Sequence, residues 1–394
     1  MECSKLTNNF SGKVLINIVL AAGMLMFARC KEVSTDIVPE TTISAKALQT
    51  IAATAPSSAK GYALENSLPA GYKKDGSVDY TDYVQKAIKA NSIVVFPAFP
   101  ILINDKGLSI KSNKVLTFLK GSEIRMKASS KENFASFNID SATNVTLNFP
   151  IVVGDRYIHK GGLGQWGHGI SINGSSNIVI NSATITNCWG DGIYIGNYKS
   201  VVSKNITIND ATCKYNRRDG MSIISVDGLN VIGGYYGFSN GTTPFCGINM
   251  EPNNSADELN NIKISGITTE GNPGFGIQVN FKRLFGSVSK KIKLDVINHV
   301  DINSHTAFKG SCYLDYKKGK ETVSGPVNIL NASWHKNIAK SPIYTTMYNN
   351  DIKITITKPW VRNLSGAVLN EPSMKTMFAG KSGINKEANY SITF

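Results

Sequence analysis

The sequence predicts an all-β fold: a parallel β-helix, wound as a solenoid, with one short helix capping its N-terminal end. Three observations lead there. A Gly-anchored phrase recurs within residues 165–196, first as "GHGISI" and then as "GDGIYI". The residues after each anchor alternate apolar and polar, the period of a strand and not of a helix. Asn and Gly recur between the alternating segments, where they favour tight turns.

The helix comes first. "DYTDYVQKAIKA", Asp79 to Ala90, sets Val84 and Ile88 on one face of a short amphipathic helix. The strand "SIVVFP" follows, and from there the chain reads as short strands. The anchors are Gly169, Gly192, Gly220, Gly247 and Gly276, separated by 23, 28, 27 and 29 residues. After them stand "ISI", "IYI", "MSI", "INM" and "IQV". The ladder is expected to continue at Gly310 in "GSCYL" and Gly366 in "GAVLN". Between anchors lies a second strand opened by Asn: "NIVI", "NITI", "NVIG", "NIKI". A third turn residue, Asn187, Asn216 or Asn272, falls shortly before its anchor. A propeller blade needs about 40 residues and four strands, so these shorter units exclude one. The alternation excludes helical repeats. In a parallel β-helix each coil buries its Ile and Val and stacks on the next at roughly 4.8 Å. The first helix then closes the open end of the core, as terminal units of solenoids do.

The chain has 394 residues, of which 42% are apolar, 18% charged and 35 are Gly, enough to bury a large core. Its net charge of +14 points to an anionic partner: nucleic acid, anionic lipid or acidic polysaccharide. Residues 1–30 read as a signal peptide, with Lys5 and Lys13 before the apolar run Val14 to Ala28. Cys30 stands where a lipoprotein carries its acylated cysteine, although Arg29 replaces the small residue expected before it. The alternative is an ordinary cleaved signal with an incidental Cys. The chain is thus expected to be exported, as a cell-surface lipoprotein or a periplasmic or secreted protein. Membrane contact is expected only through a lipid anchor, and export removes nucleic acid as a partner. Residues 31–75 read as a linker and N-terminal extension, rich in Ala, Ser and Thr, and 76–394 as the solenoid domain. Cys188, Cys213, Cys246 and Cys312 have neither CxxC nor His at metal-ligand spacing and read as small buried apolar residues.

The residue before each anchor is His168, Asp191, Asp219, Cys246 and Phe275 in turn. Equivalent residues of successive coils stack, so His168, Asp191 and Asp219 are expected in a vertical row, about 5 Å apart and exposed. Two carboxylates so close do not both ionise freely, and one pKa rises. That sets a proton donor beside an anion, the requirement for glycosidic cleavage. His168 holds or shuttles a proton near neutral pH. The competing readings are Asp-Gly as turn chemistry, and His168 as a substrate contact or a packing partner of Trp166.

A capping helix, then "VVFPAFPILIN", then "LKGSEIRMKAS", then Gly-x-Gly-Ile coils resembles the pectin-lyase-like right-handed β-helix family. The resemblance spans roughly Gly76 to Phe394. It implies a single-stranded right-handed β-helix in a superfamily of polysaccharide lyases, polygalacturonase-type hydrolases, uronate epimerases, phage tailspikes and non-enzymatic adhesins. "WGDGIYI" and "RRDGMSI" are similar to the two acid-bearing coils of the polygalacturonase-type hydrolases. That family's Gly-His-Gly coil follows the acids, whereas here "GHG" precedes them and Cys246 stands in the His place. The family's Arg-Ile-Lys is echoed only by "NFKR", Asn280 to Arg283.

Alternation puts Ser171, Tyr194, Ser222, Asn249 and Gln278 outward, and after them Asn173, Glu251 and Asn280. This polar strip suits sugar rings. Glu251 is five residues past the Asp row, roughly 16 Å along a straight strand, and reads as a substrate contact or a turn residue before Pro252. The insertion Gly154 to Gly169 brings Asp155, Arg156, Tyr157, His159 and Trp166 as one wall of a cleft, or as a solvated loop. With Arg217, Arg218, Lys282 and Arg283 it also supplies the residue types of an eliminating enzyme. The expected function is hydrolysis of an acidic glycan by Asp191 and Asp219. A polysaccharide lyase or uronate C5-epimerase, and a non-catalytic glycan-binding surface protein, are the rivals. No cofactor is expected, with Ca2+ only for a lyase, as the resemblance implies.

Overall fold

The computed structural model describes residues 55–312, 321–347, 351–380, 383–384 and 388–394. Residues 1–30, read as a signal peptide, and Cys30 lie outside the described residues. Among the described residues the strands form three parallel sheets of 13, 9 and 10 strands. One coil runs Trp166–Asn173, Ser176–Asn181, Thr184–Thr186, contributing one strand to each sheet. The next coil begins at Ile193–Gly196, paired in parallel with the first.

The core forms because the alternation is in register from coil to coil. Ile170, Ile193, Met221, Ile248, Ile277 and Phe308 stack in one column, all fully buried. Ile178, Ile206, Leu229, Ile262, Leu294, Val327 and Ile354 form a second. Each such side chain withdrawn from water is worth about 1.5–3 kcal/mol. The helix Thr81–Ala90 buries Val84, Ala87 and Ile88 against the first coil's strands Ile93–Phe96 and Leu108–Ser109. Pairing starts within the stretch read as linker: Tyr62–Ala63 pairs with Val94 and Val95, and Leu64 is in the core.

The anchor glycines have a steric cause. A Cβ on Gly192 would lie 2.6 Å from the Gly220 carbonyl oxygen, one on Gly220 2.5 Å from that of Gly247, and one on Gly247 2.7 Å from that of Gly276. Successive coils approach too closely there for any side chain. Gly220→Ala is therefore expected to lower stability in denaturant by about 1–3 kcal/mol. Gly162→Ala, with nothing within 4 Å of its Cβ, should change it by under about 0.5 kcal/mol. Equal effects would refute the steric reading.

The column ends differently from expectation. Phe275 pairs with Thr306, so the next anchor is Ala307, not Gly310. Gly366 lies in a turn at φ 85° instead of opening a coil.

The Asn turns behave as read, with one shift. Asn113, Asn144, Asn177 and Asn205 all adopt left-handed φ. Each amide donates to the one before, at 3.0, 3.2 and 3.2 Å. In the following coil Gly228 takes this place at φ 86°, because Leu229, not Val231, pairs with Ile206. Asn230 is therefore not a turn residue.

Candidate active site

The row exists. The Gly169, Gly192, Gly220 and Gly247 N–H groups donate to the carbonyls of Asp191, Asp219, Cys246 and Phe275 at 2.9–3.1 Å. That fixes His168, Asp191, Asp219, Cys246 and Phe275 in one line along the axis. The expected exposure is overturned: His168 is 6% exposed, Asp191 and Asp219 0%. Arg218, the residue beside Asp219, lies over the acids.

Arg218 organises three carboxylates. Its Nη1 donates to both oxygens of Asp191 at 3.3 Å, stands 3.0 Å from Asp219 Oδ2, and donates to Ser222 Oγ at 2.9 Å. Its Nη2 is 3.6 Å from Glu251 Oε2. The expected remoteness of Glu251 is thus corrected: the strand ends at Met250, and Glu251 turns back so that one guanidinium reaches both acids. Asp191 Oδ1 also accepts the Asp219 N–H at 3.1 Å. Asp219 accepts the Cys246 N–H at 2.7 Å, Ser222 Oγ at 3.1 Å and Asn249 Nδ2 at 3.2 Å. Burial nevertheless pushes the Asp219 carboxyl up to about 7, opposed by Arg218 and reinforced by the Asp191 charge. Three carboxylates around one guanidinium leave excess negative charge, which a proton on Asp219 relieves.

His168 is neutral here. Its Nδ1 accepts the Asp191 N–H at 3.2 Å and stands 3.4 Å from Asp191 Oδ2. Burial lowers its pKa to about 4, and the Asp191 carboxylate only partly offsets this. The ring stacks on Tyr194 at 4.8 Å and 19°. Tyr194 is pushed up to about 12, first by burial and then by Asp191.

The insertion divides into anchor and surface. Asp155 Oδ2 accepts the Ser129 N–H at 3.0 Å and meets His159 Nδ1 at 2.7 Å, with both side chains fully enclosed. The His159 ring stacks on Trp189 at 3.9 Å, and Arg217 covers the Trp189 ring at 3.8 Å. Arg217 also donates to the Gly164 carbonyl at 2.8 Å. Arg156 donates to the carbonyls of Tyr215, Asn216 and Asn240. Asp155, Arg156, His159 and Arg217 thus hold the loop. Tyr157, 70% exposed, and Trp166, 43% exposed, face solvent.

The outward strip is mostly covered. Ser222 and Asn249 are fully buried and Gln278 is 5% exposed, its Nε2 donating to Asn249 Oδ1 at 2.9 Å. Asp257 pins the adjoining turn by accepting the N–H groups of Asn253 and Asn254 and the amide of Asn197. Arg283 donates to the Asn253 carbonyl at 3.2 Å, and Asn280 accepts the Lys282 N–H at 3.1 Å. The sequence reading missed Trp189, Asp257 and Lys309. Trp189 was visible in "WGDG", but only as a neighbour of the acid. Among the described residues no three His, Cys, Asp or Glu side chains are gathered as metal ligands. The three carboxylates converge on a guanidinium instead, so a lyase-type Ca2+ does not fit this donor set.

No protein-family model matches the chain. It is 30% identical over 140 residues to the SPbeta prophage-derived uncharacterized protein YorA of Bacillus subtilis (strain 168), covering 32% of this chain and 24% of that protein. It is 27% identical over 220 residues to the uncharacterized protein YclG of the same organism, covering 47% and 37%. The chain thus spans well under half the length of these curated relatives. Among solved structures it resembles the tailspike gp49 of Acinetobacter baumannii bacteriophage Fri1, a capsular polysaccharide depolymerase (TM-score 0.54, 11% identity, 84% of this chain and 57% of that one). It also resembles the Streptococcus pneumoniae surface adhesin PfbA (0.51, 13%, 85% and 97%). A third likeness is to the endo-xylogalacturonan hydrolase of Aspergillus tubingensis (0.50, 13%, 83% and 99%). What they share with this chain is the fold, a right-handed parallel β-helix.

Proposed function

We propose that this chain, a right-handed β-helix of the pectin-lyase-like fold, is an exported enzyme that hydrolyses glycosidic bonds of an acidic glycan. One observation carries the reading: Asp191, Asp219 and Glu251 meet at Arg218, and Asp219 is held near pH 7 between acid and anion. In this reading Asp219 is the proton donor and Asp191 the carboxylate that activates water or attacks. Arg218 must leave its place over the pair before a sugar reaches it. A uronate carboxylate offers the guanidinium a solvent-side partner, which ties opening of the site to an acidic substrate. Tyr157 and Trp166 then stack on sugar rings at the loop side of the row.

A lyase or C5-epimerase has less support, because His159, one of the loop's two candidate bases, is enclosed, while Tyr157 stays exposed. The non-catalytic glycan-binding reading is favoured by one fact, the complete enclosure of Asp191 and Asp219. Incubation with a panel of acidic and neutral polysaccharides, read by size-exclusion chromatography, separates the two. The hydrolase reading expects an acidic polymer to shorten with the parent protein and not with Asp191→Asn. Binding with no shortening of any polymer would leave the glycan-binding reading.

A further inference from the structure

The outward strip does not stop at Gln278. Its Cα partner in the next coil is Lys309. Lys309 Nζ lies 4.3 Å from the centroid of the Phe275 ring, and Phe275 holds the row position two coils beyond Asp219, roughly 10 Å along the axis. Part of the Lys309 side chain is withdrawn from water, and desolvation lowers its pKa, with the Glu251 charge opposing. Among the described residues its ammonium makes no ion pair or hydrogen bond, only the ring contact. Other basic residues near this end are engaged: Arg283 with the Asn253 carbonyl and Lys290 with Glu258 at 3.9 Å.

We infer that Lys309 is a second carboxylate-binding residue, beside Arg218, receiving a uronate whose ring lies against Phe275 on the later-coil side of the Asp row. An ammonium that has already lost part of its hydration gives up less when an anion arrives. The ring beneath supplies an apolar wall for a sugar face. Gln278, its neighbour in the preceding coil, donates to Asn249 Oδ1 and so ties this strand to the Asp219 cluster. The inference rests on the acidic-glycan reading and adds to Arg218 a residue that selects the acid.

The test is isothermal titration of the full chain with tetragalacturonate, tetramannuronate and, as a neutral probe, xylotetraose. The variants are Lys309→Met, Lys309→Gln and Lys309→Arg, each checked for an unchanged thermal melt. The expected result is at least tenfold weaker binding of one uronate probe by the Met and Gln variants, recovery to within threefold by Arg, and no change for xylotetraose. Parent-like uronate binding by Met or Gln overturns the assignment, and so does a parent protein that binds neither uronate. The two readings fail separately. Cleavage of neutral glycans alone would leave the hydrolase and remove Lys309's role. Uronate binding that depends on Lys309, with no bond cleaved, would do the reverse.

Discussion

Asp219→Asn is expected to abolish most activity on the acidic polymer while leaving the chain folded, a loss of about 10²–10⁴-fold in kcat, the range for removing one acid–base group. In the parent, activity should fall as pH rises through about 7, because burial holds the Asp219 proton to that pH. The same shift gives an independent stability signature. A carboxyl whose folded pKa is raised from 3.8 to about 7 contributes stability that is fully present below 3.8 and is lost as pH rises through 7. Asp219→Asn should remove that component from a pH series of denaturant melts. An unaltered pH dependence in the variant, or parent-like activity, would take the proton-donor role away from Asp219.

Arg218→Met should destabilise the protein by about 3–5 kcal/mol, the cost of leaving buried carboxylates without their counter-charge. The guanidinium stands 3.3 Å from Asp191 and 3.0 Å from Asp219, with only 12% of its side chain exposed. Combining Arg218→Met with Asp219→Asn should recover part of the loss, because one fewer charge then needs compensation. Arg218→Lys keeps the charge but not the fork that spans Asp191 and Glu251, and should fall between. A Met variant within about 0.5 kcal/mol of the parent would mean that the cluster is already neutralised without Arg218.

Much of this architecture was legible because a solenoid writes its contacts into a period. The Gly169 to Gly276 ladder, the inward Ile column and the left-handed Asn turns are local signals repeated, and repetition gives register. The period became unreadable where Ala307 replaces the anchor. Gly310 then reads as the next anchor, which takes Lys309 out of the outward strip. The row of acids was legible, but its enclosure was not. Arg218 adjoins Asp219 in sequence, and only the fold shows its side chain reaching across to Asp191 and Glu251. A straight strand would carry Glu251 away from the acids, whereas the strand ends one residue earlier. The loop residues Asp155 and His159 carried the right chemistry for a site. Their i, i+4 contact and the Trp189 ring bind them into the scaffold instead.

The hydrolase claim is tested most directly by the chemistry of the products. Purified protein is incubated with polygalacturonate and alginate, and new reducing ends and ultraviolet absorbance are followed together. Hydrolysis predicts reducing ends that accumulate with no absorbance, and none from Asp219→Asn. Absorbance of an unsaturated uronate rising with the reducing ends would contradict it, and would move the chemistry from Asp191 and Asp219 to an eliminating base.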